Sequence, residues 1–333
     1  MIKELTAVAY LGSLKLGVTS PQLFRGSDQQ LYVVKLLGNK VGPKALANEF
    51  LAAELGAQLR LCFPASGIIS IDEVLLKRSG RLRKAGVVAG PHFACKFISN
   101  SFYVDRRALS RVINKSEMAG VMLFDHLVHN VDRTVNRKNI IIRREATGYH
   151  MYAIDHSHLF KRGRWTVAQL TALENDLSVN TRRTYGLLLK YFLKPEDFAP
   201  YAKAIREWSD AYLAQTVAAI PEQWLSEQRE RQALLTHLIC RRNLIDQIMA
   251  RLIGLIPEAR RKKAVVAEPV VLESEAHEPQ QPLTAIIERQ QDMTAAAERQ
   301  REGFRRVHPF RQNHGSPFYR RRAAVRRDSS KQT

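Results

Sequence analysis

The stretch from Asp125 to Phe160 constrains this chain more than any other. A helical run, Ala119 to His129, ends in a polar loop, Asn130-Val131-Asp132-Arg133-Thr134-Val135-Asn136-Arg137-Lys138-Asn139. The loop runs into a short apolar strand, Ile140 to Ile142. After a turn at Ala146-Thr147-Gly148 a second strand is expected, Tyr149 to Ile154, which delivers Asp155-His156-Ser157. One Asp and one Asn thus share a loop, and a second Asp lies just past the hairpin. Any one of these residues alone is ordinary turn chemistry. In this order they suit phosphoryl transfer. One carboxylate takes the proton of an acceptor hydroxyl, while an Asn and a second carboxylate hold Mg²⁺ against nucleotide phosphates. Mg²⁺ prefers hard oxygen ligands and needs only one or two from protein, so a single Asn and a single Asp suffice.

The N-terminal part supplies a second set of candidates. Leu5 to Gly12 and Lys15 to Leu23 read as short strands, and Arg25 to Gln30 as a turn. The clearest strand is Leu31 to Leu37, rich in β-branched and aromatic residues. Alternation puts Lys35 on the face of Val33 and Leu37. Such a lysine is either an edge-strand charge that deters aggregation or a group reaching nucleotide phosphates and held by a carboxylate. The basic, Gly-containing loop Gly38 to Lys44 leads into a helix, Ala45 to Leu59, which carries Glu49, the candidate partner of Lys35. Backbone N–H groups around Gly42 and Lys44 are placed to meet phosphate. Neither G-x-x-x-x-G-K-[ST] nor G-x-G-x-x-G occurs, so no P-loop or dinucleotide fingerprint is present. Leu61 to Ile71, Glu73 to Leu76 and Phe93 to Ile98 read as strands, with Lys77 to Lys84 as a basic turn.

From Tyr103 onward helical periodicity dominates, with helices expected over 169–173, 182–191, 195–219 and 221–255. Trp208 and Trp224 read as core. After Ile256 the pattern changes to Lys/Arg, Glu, Gln and Pro with little apolar period, apart from a polar helix expected over Thr284 to Arg301. Residues 257–333 are expected to be largely disordered. Segment 301–333 holds ten Lys+Arg against two acidic residues, with Phe304, Phe310, Phe318 and Tyr319 interleaved. It is either a solubilising tail or an arm for RNA or another anionic partner.

Composition narrows the class. With 333 residues, 45% hydrophobic and 25% charged, the chain can bury a sizeable core. Its 52 Lys+Arg against 32 Asp+Glu give +20, which favours anionic partners. The three cysteines, Cys62, Cys95 and Cys240, lack metal-ligand spacing and read as reduced core thiols of a cytoplasmic protein. Met1 to Leu5 carries no long apolar segment of the signal-peptide type. No apolar run approaches the ~18 residues of a membrane span.

Four motifs in order complete the reading: Tyr32-Val33-Val34-Lys35, Gly42-Pro43-Lys44-Ala45-Leu46-Ala47-Asn48-Glu49, Asn130-Val131-Asp132-Arg133-Thr134 and Ile154-Asp155-His156. With Ile220 to Leu225 they make the chain resemble HipA-like kinases, a small bacterial subgroup in particular, over residues 5 to 255. The resemblance implies an α+β, protein-kinase-like bilobal fold. Residues 1–98 would form a small β-rich lobe with one long helix, 99–256 a larger helical lobe, and 257–333 a low-order basic tail. It also implies ATP and Mg²⁺ as cofactors, with a protein Ser or Thr as acceptor. Lys35 would contact the phosphates and Glu49 would pair with it. Asp132 would be the catalytic base, and Asn139 and Asp155 would hold the metal. Arg133, Asn136 and His156 would support the site. A nucleotide-binding pseudokinase with a partner-binding tail, and AMP transfer in place of phosphoryl transfer, are the alternatives.

Overall fold

The computed structural model describes residues 3–14 and 19–258. The expectations for the basic tail and the 284–301 helix lie outside the described residues. Strands β1 (Lys3–Ser13), β2 (Gln22–Gly26), β3 (Leu31–Lys35), β4 (Ser66–Ile71) and β5 (Gly90–Lys96) close into a barrel in the order β1-β2-β3-β5-β4. β1 pairs with β4 in parallel, and every other pairing is antiparallel. Closure removes edges. Lys35 therefore sits on an interior strand between β2 and β5, opposite Phe93, and the edge-charge explanation of this lysine fails. Alternation works as expected. Tyr32 and Val34 join the cluster inside the barrel, while Val33 and Lys35 face outward into a cavity.

Helix α1 (Lys44–Gln58) packs outside the barrel and is buried on every side from Ala45 to Ala52, the polar Asn48 and Glu49 included. That all-round burial is what a helix wedged between two layers requires. Its side chains belong to the same hydrophobic cluster as the helical lobe, while the barrel interior holds a cluster of its own.

Several local expectations are corrected. Glu73 to Leu76 is no strand but the start of α2 (Glu73–Arg78), because Asp72 caps it by accepting from Leu75 N–H at 2.6 Å. The basic turn 77–84 instead contains α3 (Gly80–Lys84), capped by Ser79. The strand expected from Leu61 begins only at Ser66. β2 runs on through Arg25 and Gly26, and the reversal falls at Ser27 to Gln30, closed by Gly26 N–H to Gln30 carbonyl at 2.9 Å.

The second lobe opens with β6 (Ser101–Tyr103), α4 (Arg106–Arg111) and α5 (Glu117–Leu127). The polar loop 130–139 is more ordered than its composition suggests, holding α6 (Asp132–Val135) and a 3-10 turn (Arg137–Asn139). The expected hairpin follows as β7 (Ile140–Glu145) and β8 (Gly148–Ala153), in a sheet of order β6-β7-β8. Then come α7 (Val167–Leu173), α8 (Thr184–Tyr191), α9 (Pro195–Arg206), α10 (Asp210–Ala218), α11 (Gln228–Asn243) and α12 (Ile245–Gly254).

The two long helices read over 195–219 and 221–255 are each broken. Ser209 caps α10 and so ends the run from α9. Pro221 to Leu225 is a tight turn that buries Trp224 and Leu225. The result is the α+β, two-lobed architecture expected: a small β-rich lobe with one long helix, and a larger helical lobe. No helix among the described residues is long and apolar enough to cross a membrane. All three cysteines are free, but only Cys62 is fully buried, which corrects the reading of Cys95 and Cys240 as core thiols.

Trp224 joins the lobes. It is 1% exposed, lies edge-on to Phe50 of α1, and donates Nε1–H to the Pro91 carbonyl of β5 at 3.1 Å. Trp224→Ala is expected to cost about 3–5 kcal/mol in chemical denaturation. A loss below about 1 kcal/mol would show that the lobes are joined elsewhere.

Candidate active site

A cavity of about 200 Å³ lies against β3, β5 and the segment 96–98 on one side and the 3-10 turn, β7 and Asp155 on the other. Lys35, Glu49, Asn136, Asn139 and Asp155 all reach it, and Val33, Phe93 and Ile141 make part of its wall apolar. Residues far apart in sequence meet here because two elements are fixed in register. β3 carries Lys35 opposite Phe93. The β7–β8 pairing, continued by Ile154 N–H to the Asn139 carbonyl at 2.9 Å, sets Asn139 beside the approach to Asp155.

Lys35 is 7% exposed and donates to both Glu49 Oε1 and Asp155 Oδ1, the latter at 2.6 Å. Burial disfavours its charge, but Asp155 and Glu49 outweigh that and raise its pKa above the ordinary lysine value. Burial likewise opposes ionisation of Asp155, and Lys35 with the Ser157 hydroxyl overcomes it, lowering the pKa below the carboxylate range. Glu49 is also lowered, by Lys35 and by hydrogen bonding from His156 against the cost of burial. One cation between two carboxylates leaves a net negative charge, which welcomes a metal cation. Asp155 meets Lys35 and Ser157 through Oδ1, leaving Oδ2 for a metal. Asn139 Oδ1 accepts one bond, from Asn136 Nδ2 at 3.0 Å, and keeps a second lone pair. Hard oxygens from one Asn and one Asp therefore fit Mg²⁺. Among the described residues no cluster of three or more His, Cys, Asp or Glu offers an alternative metal site.

Asp132 opens α6, and Asn139 Nδ2 donates to its Oδ2 at 2.6 Å. The loop around it is locked by Arg133, which is 1% exposed. Arg133 Nε donates to Asp125 Oδ2 at 2.7 Å, and Nη1 donates to the carbonyls of Asn139 and Ile154 at 2.8 and 2.7 Å. One guanidinium thus ties the end of α5 to the residues on either side of the hairpin. Asn130 and Tyr185 donate to the same Asp125 carboxylate.

His156 donates its backbone N–H to Glu49 Oε1 at 2.8 Å, and its ring Nδ1 lies 3.4 Å from Glu49 Oε2. Its neighbour Ser157 is held by Asn48, whose Nδ2 donates to the Ser157 and Gly163 carbonyls at 2.9 and 3.0 Å. Gly163 has φ +74, and a Cβ there would lie 2.5 Å from the Ser157 carbonyl oxygen. Consecutive residues of α1, Asn48 and Glu49, therefore hold the segment that carries Asp155.

The structure does not bring Gly42 or Lys44 to the cavity. The N–H groups of Val41 and Gly42 are spent on Asn39 Oδ1, at 2.9 and 3.1 Å, so this loop offers them to no phosphate. Lys44 turns toward the helical lobe, donating to the Trp165 carbonyl at 2.8 Å and to Glu230 at 2.5 Å. The sequence reading missed Asp125, Tyr185 and Asn48. Asp125 carried a signal, being a carboxylate inside an apolar helix, and Asn48 stands next to Glu49 in the quoted motif.

Removing Arg133 strands the buried Asp125 charge. Arg133→Ala is expected to destabilise by about 3–5 kcal/mol, read by denaturation, and Arg133→Lys to recover little because lysine lacks the guanidinium fork. The pH dependence follows from the directions given. Asp155 is depressed below its ordinary 3.8, so its stabilisation is present above that value and is lost as pH falls through the folded value. Lys35 is raised above 10.5, so its contribution is full below that value and is lost as pH rises through the folded one. Loss of stability on acidification should therefore be shallower in Asp155→Asn than in wild type. An unchanged acid limb would show that Asp155 is not held ionised by Lys35.

No curated protein matched the chain. Among solved structures it is similar to the Helicobacter pylori proinflammatory kinase CtkA, at 13% identity and TM-score 0.45, covering 72% of this chain and 93% of that one. It is also similar to the Golgi casein kinase crystallised with Mn/ADP, at 11% identity and TM-score 0.40, covering 78% and 74%. The family model described as HipA-like kinase matches residues 8–252. This chain belongs to the HipA-like kinase family.

Proposed function

We propose that the chain moves the γ-phosphoryl group of ATP to a hydroxyl, that of a protein Ser or Thr. The observation that carries this reading is the meeting of Lys35, Asp155 and Asn139 in one cavity, with Asp132 bonded to Asn139. The apolar part of the cavity suits the adenine ring. Lys35 meets the phosphates, and Glu49 and Asp155 keep it charged and aimed. Asp132 accepts the proton as the acceptor oxygen bonds to the γ-phosphorus and the bond to the bridging oxygen of ADP breaks. Asn139 and Asp155 would hold Mg²⁺, which when bound neutralises charge on the phosphate oxygens. Asn136 holds Asn139, Arg133 fixes the loop, and His156 fixes Glu49.

The test uses purified protein with Mg²⁺ and γ-labelled ATP, with and without a bacterial lysate. Label should appear on the chain or a lysate protein and fall by at least about a hundredfold in Asp132→Asn, with nucleotide binding retained. Full transfer in the variant would remove Asp132 from the base role. Label moving only from α-labelled ATP would replace phosphoryl transfer with AMP transfer. ATP binding without either transfer would favour a nucleotide-binding pseudokinase.

A further inference from the structure

The charged groups around the nucleotide cavity do not balance the ligand assigned to it. Among the described residues they are Lys35, Glu49, Lys96, Lys138 and Asp155. Lys35 is already held by both Glu49 and Asp155, so these three carry one net negative charge. Even with a divalent cation on Asp155, the phosphates of ATP bring more negative charge than Lys35 can offset. The Gly42–Lys44 loop, expected to meet phosphate, is turned elsewhere. Beside a wall of Val33, Phe93 and Ile141, phosphate oxygens that have lost water need a further cation.

Two lysines remain. Lys96 stands opposite Tyr32 across β3 and β5, and Tyr32 belongs to the cluster inside the barrel. Strand alternation therefore puts the Lys96 side chain on the barrel face, away from the face of Phe93 and Cys95 that borders the cavity. Lys138 is placed differently. It lies in the 3-10 turn, one residue before Asn139. Its backbone N–H donates to Asn136 Oδ1 at 3.1 Å, and Asn139 N–H donates to the Asn136 carbonyl at 3.1 Å, so the root of the side chain is fixed. Its ammonium lies 5.8 Å from the centroid of the Tyr103 ring, a neighbour on the cavity wall. Lys138 is exposed and makes no ion pair among the described residues. A cation resting on an aromatic face is held more weakly than one paired with a phosphate oxygen, so its charge stays available to a ligand.

We propose that Lys138 is a second phosphate-binding cation of this site: its ammonium exchanges the Tyr103 ring for an oxygen of the phosphates nearest the ribose when a nucleoside di- or triphosphate binds. The assignment rests on the cavity taking a nucleotide and is independent of the transfer step. Tyr103 stands opposite Ile141 in the β6–β7 pairing, which puts Lys138 between the apolar wall and the Asn139 turn. The ribose and its first phosphates fall in that interval when the base packs on the wall and the far phosphates reach Asn139 and Asp155. The two lysines then divide the work. Lys35 is buried and aimed by carboxylates. Lys138 is a point charge on a flexible stem that meets the ligand from the cavity mouth.

The test is calorimetric titration of the full chain with Mg²⁺ present, direct for ATP and ADP and by competition for adenosine. Lys138→Ala should weaken ATP and ADP binding by at least about tenfold and leave adenosine binding unchanged. Lys138→Arg, which keeps the charge, should stay within about threefold of wild type. Unchanged ATP affinity in Lys138→Ala would overturn the assignment. So would an equal loss for adenosine, which would mean that the side chain only shapes the cavity. With γ-labelled ATP, Lys138→Ala should raise KM and hold kcat, because the contact is made equally before and during transfer. A lower kcat at unchanged KM would also overturn the assignment. The two readings fail separately. Nucleotide that binds through Lys138 but gives no label would leave the assignment standing and sink phosphoryl transfer. Transfer at a wild-type KM in Lys138→Ala would do the reverse, and no ATP binding by wild type would sink both.

Discussion

A buried lysine between two carboxylates organises this molecule. An ion taken out of water is tolerated only where partners and hydrogen bonds replace the solvent. Lys35 finds both partners, Glu49 from α1 and Asp155 from beyond the hairpin. The three residues reach one another only if the barrel closes, α1 packs against it, and β7–β8 forms in register. The ion cluster is therefore satisfied in the complete two-lobed fold and in no part of it. Asp155 itself sits at φ 62, a left-handed conformation that a non-glycine residue adopts at a cost. The bonds from Lys35 and Ser157 are what hold it there.

A second lock secures the loop on the other side of the cavity. Arg133 and Asp125 form a buried pair, and the Arg133 Nη1 donates to backbone carbonyls on both sides of the hairpin. Positive φ at His129, Phe160 and Lys161 lies along the same seam. Strain of this kind persists where the surroundings over-determine it, and it gathers at working sites. The two locks fix Asp155 on the cavity and Asp132 on the Asn139 side chain of its wall, with little freedom to drift. The arrangement is preorganised, because the polar groups are already aimed before any substrate arrives. His156, in the position after Asp155, adds to this by bonding Glu49 through its backbone.

Much of this was legible in the sequence, and the reason is local. The hairpin could be read because apolar runs flank a Gly-containing turn, and strand alternation put Lys35 on the face of Val33. Glu49 was placed by its position on the helix that follows the Gly-containing loop and by the Gly42 to Glu49 motif. What failed was governed by contacts that sequence spacing does not carry. The strand assigned to Glu73–Leu76 lost to one cap, Asp72. The Gly42 loop looked like a phosphate cradle, but Asn39 fills it from inside. Lys44 was drawn off by Glu230, 186 residues away. Arg133 could be placed only as a supporting residue, because nothing near it in sequence announces the buried carboxylate of Asp125 that claims it. The breaks at Ser209 and Leu244 sit in continuous helical periodicity and are set by capping and by how the turns bury Trp208 and Ile245.

The most direct test of the central claim is a crystal structure of the protein with Mg²⁺ and a non-hydrolysable ATP analogue. The adenine should lie against Val33, Phe93 and Ile141, the phosphates within hydrogen-bonding reach of Lys35 Nζ, and the metal on Asn139 Oδ1 and Asp155. The γ-phosphate should point toward Asp132. An analogue bound elsewhere, or one lying in the cavity with its phosphates away from Lys35 and its metal off Asp155, would contradict it.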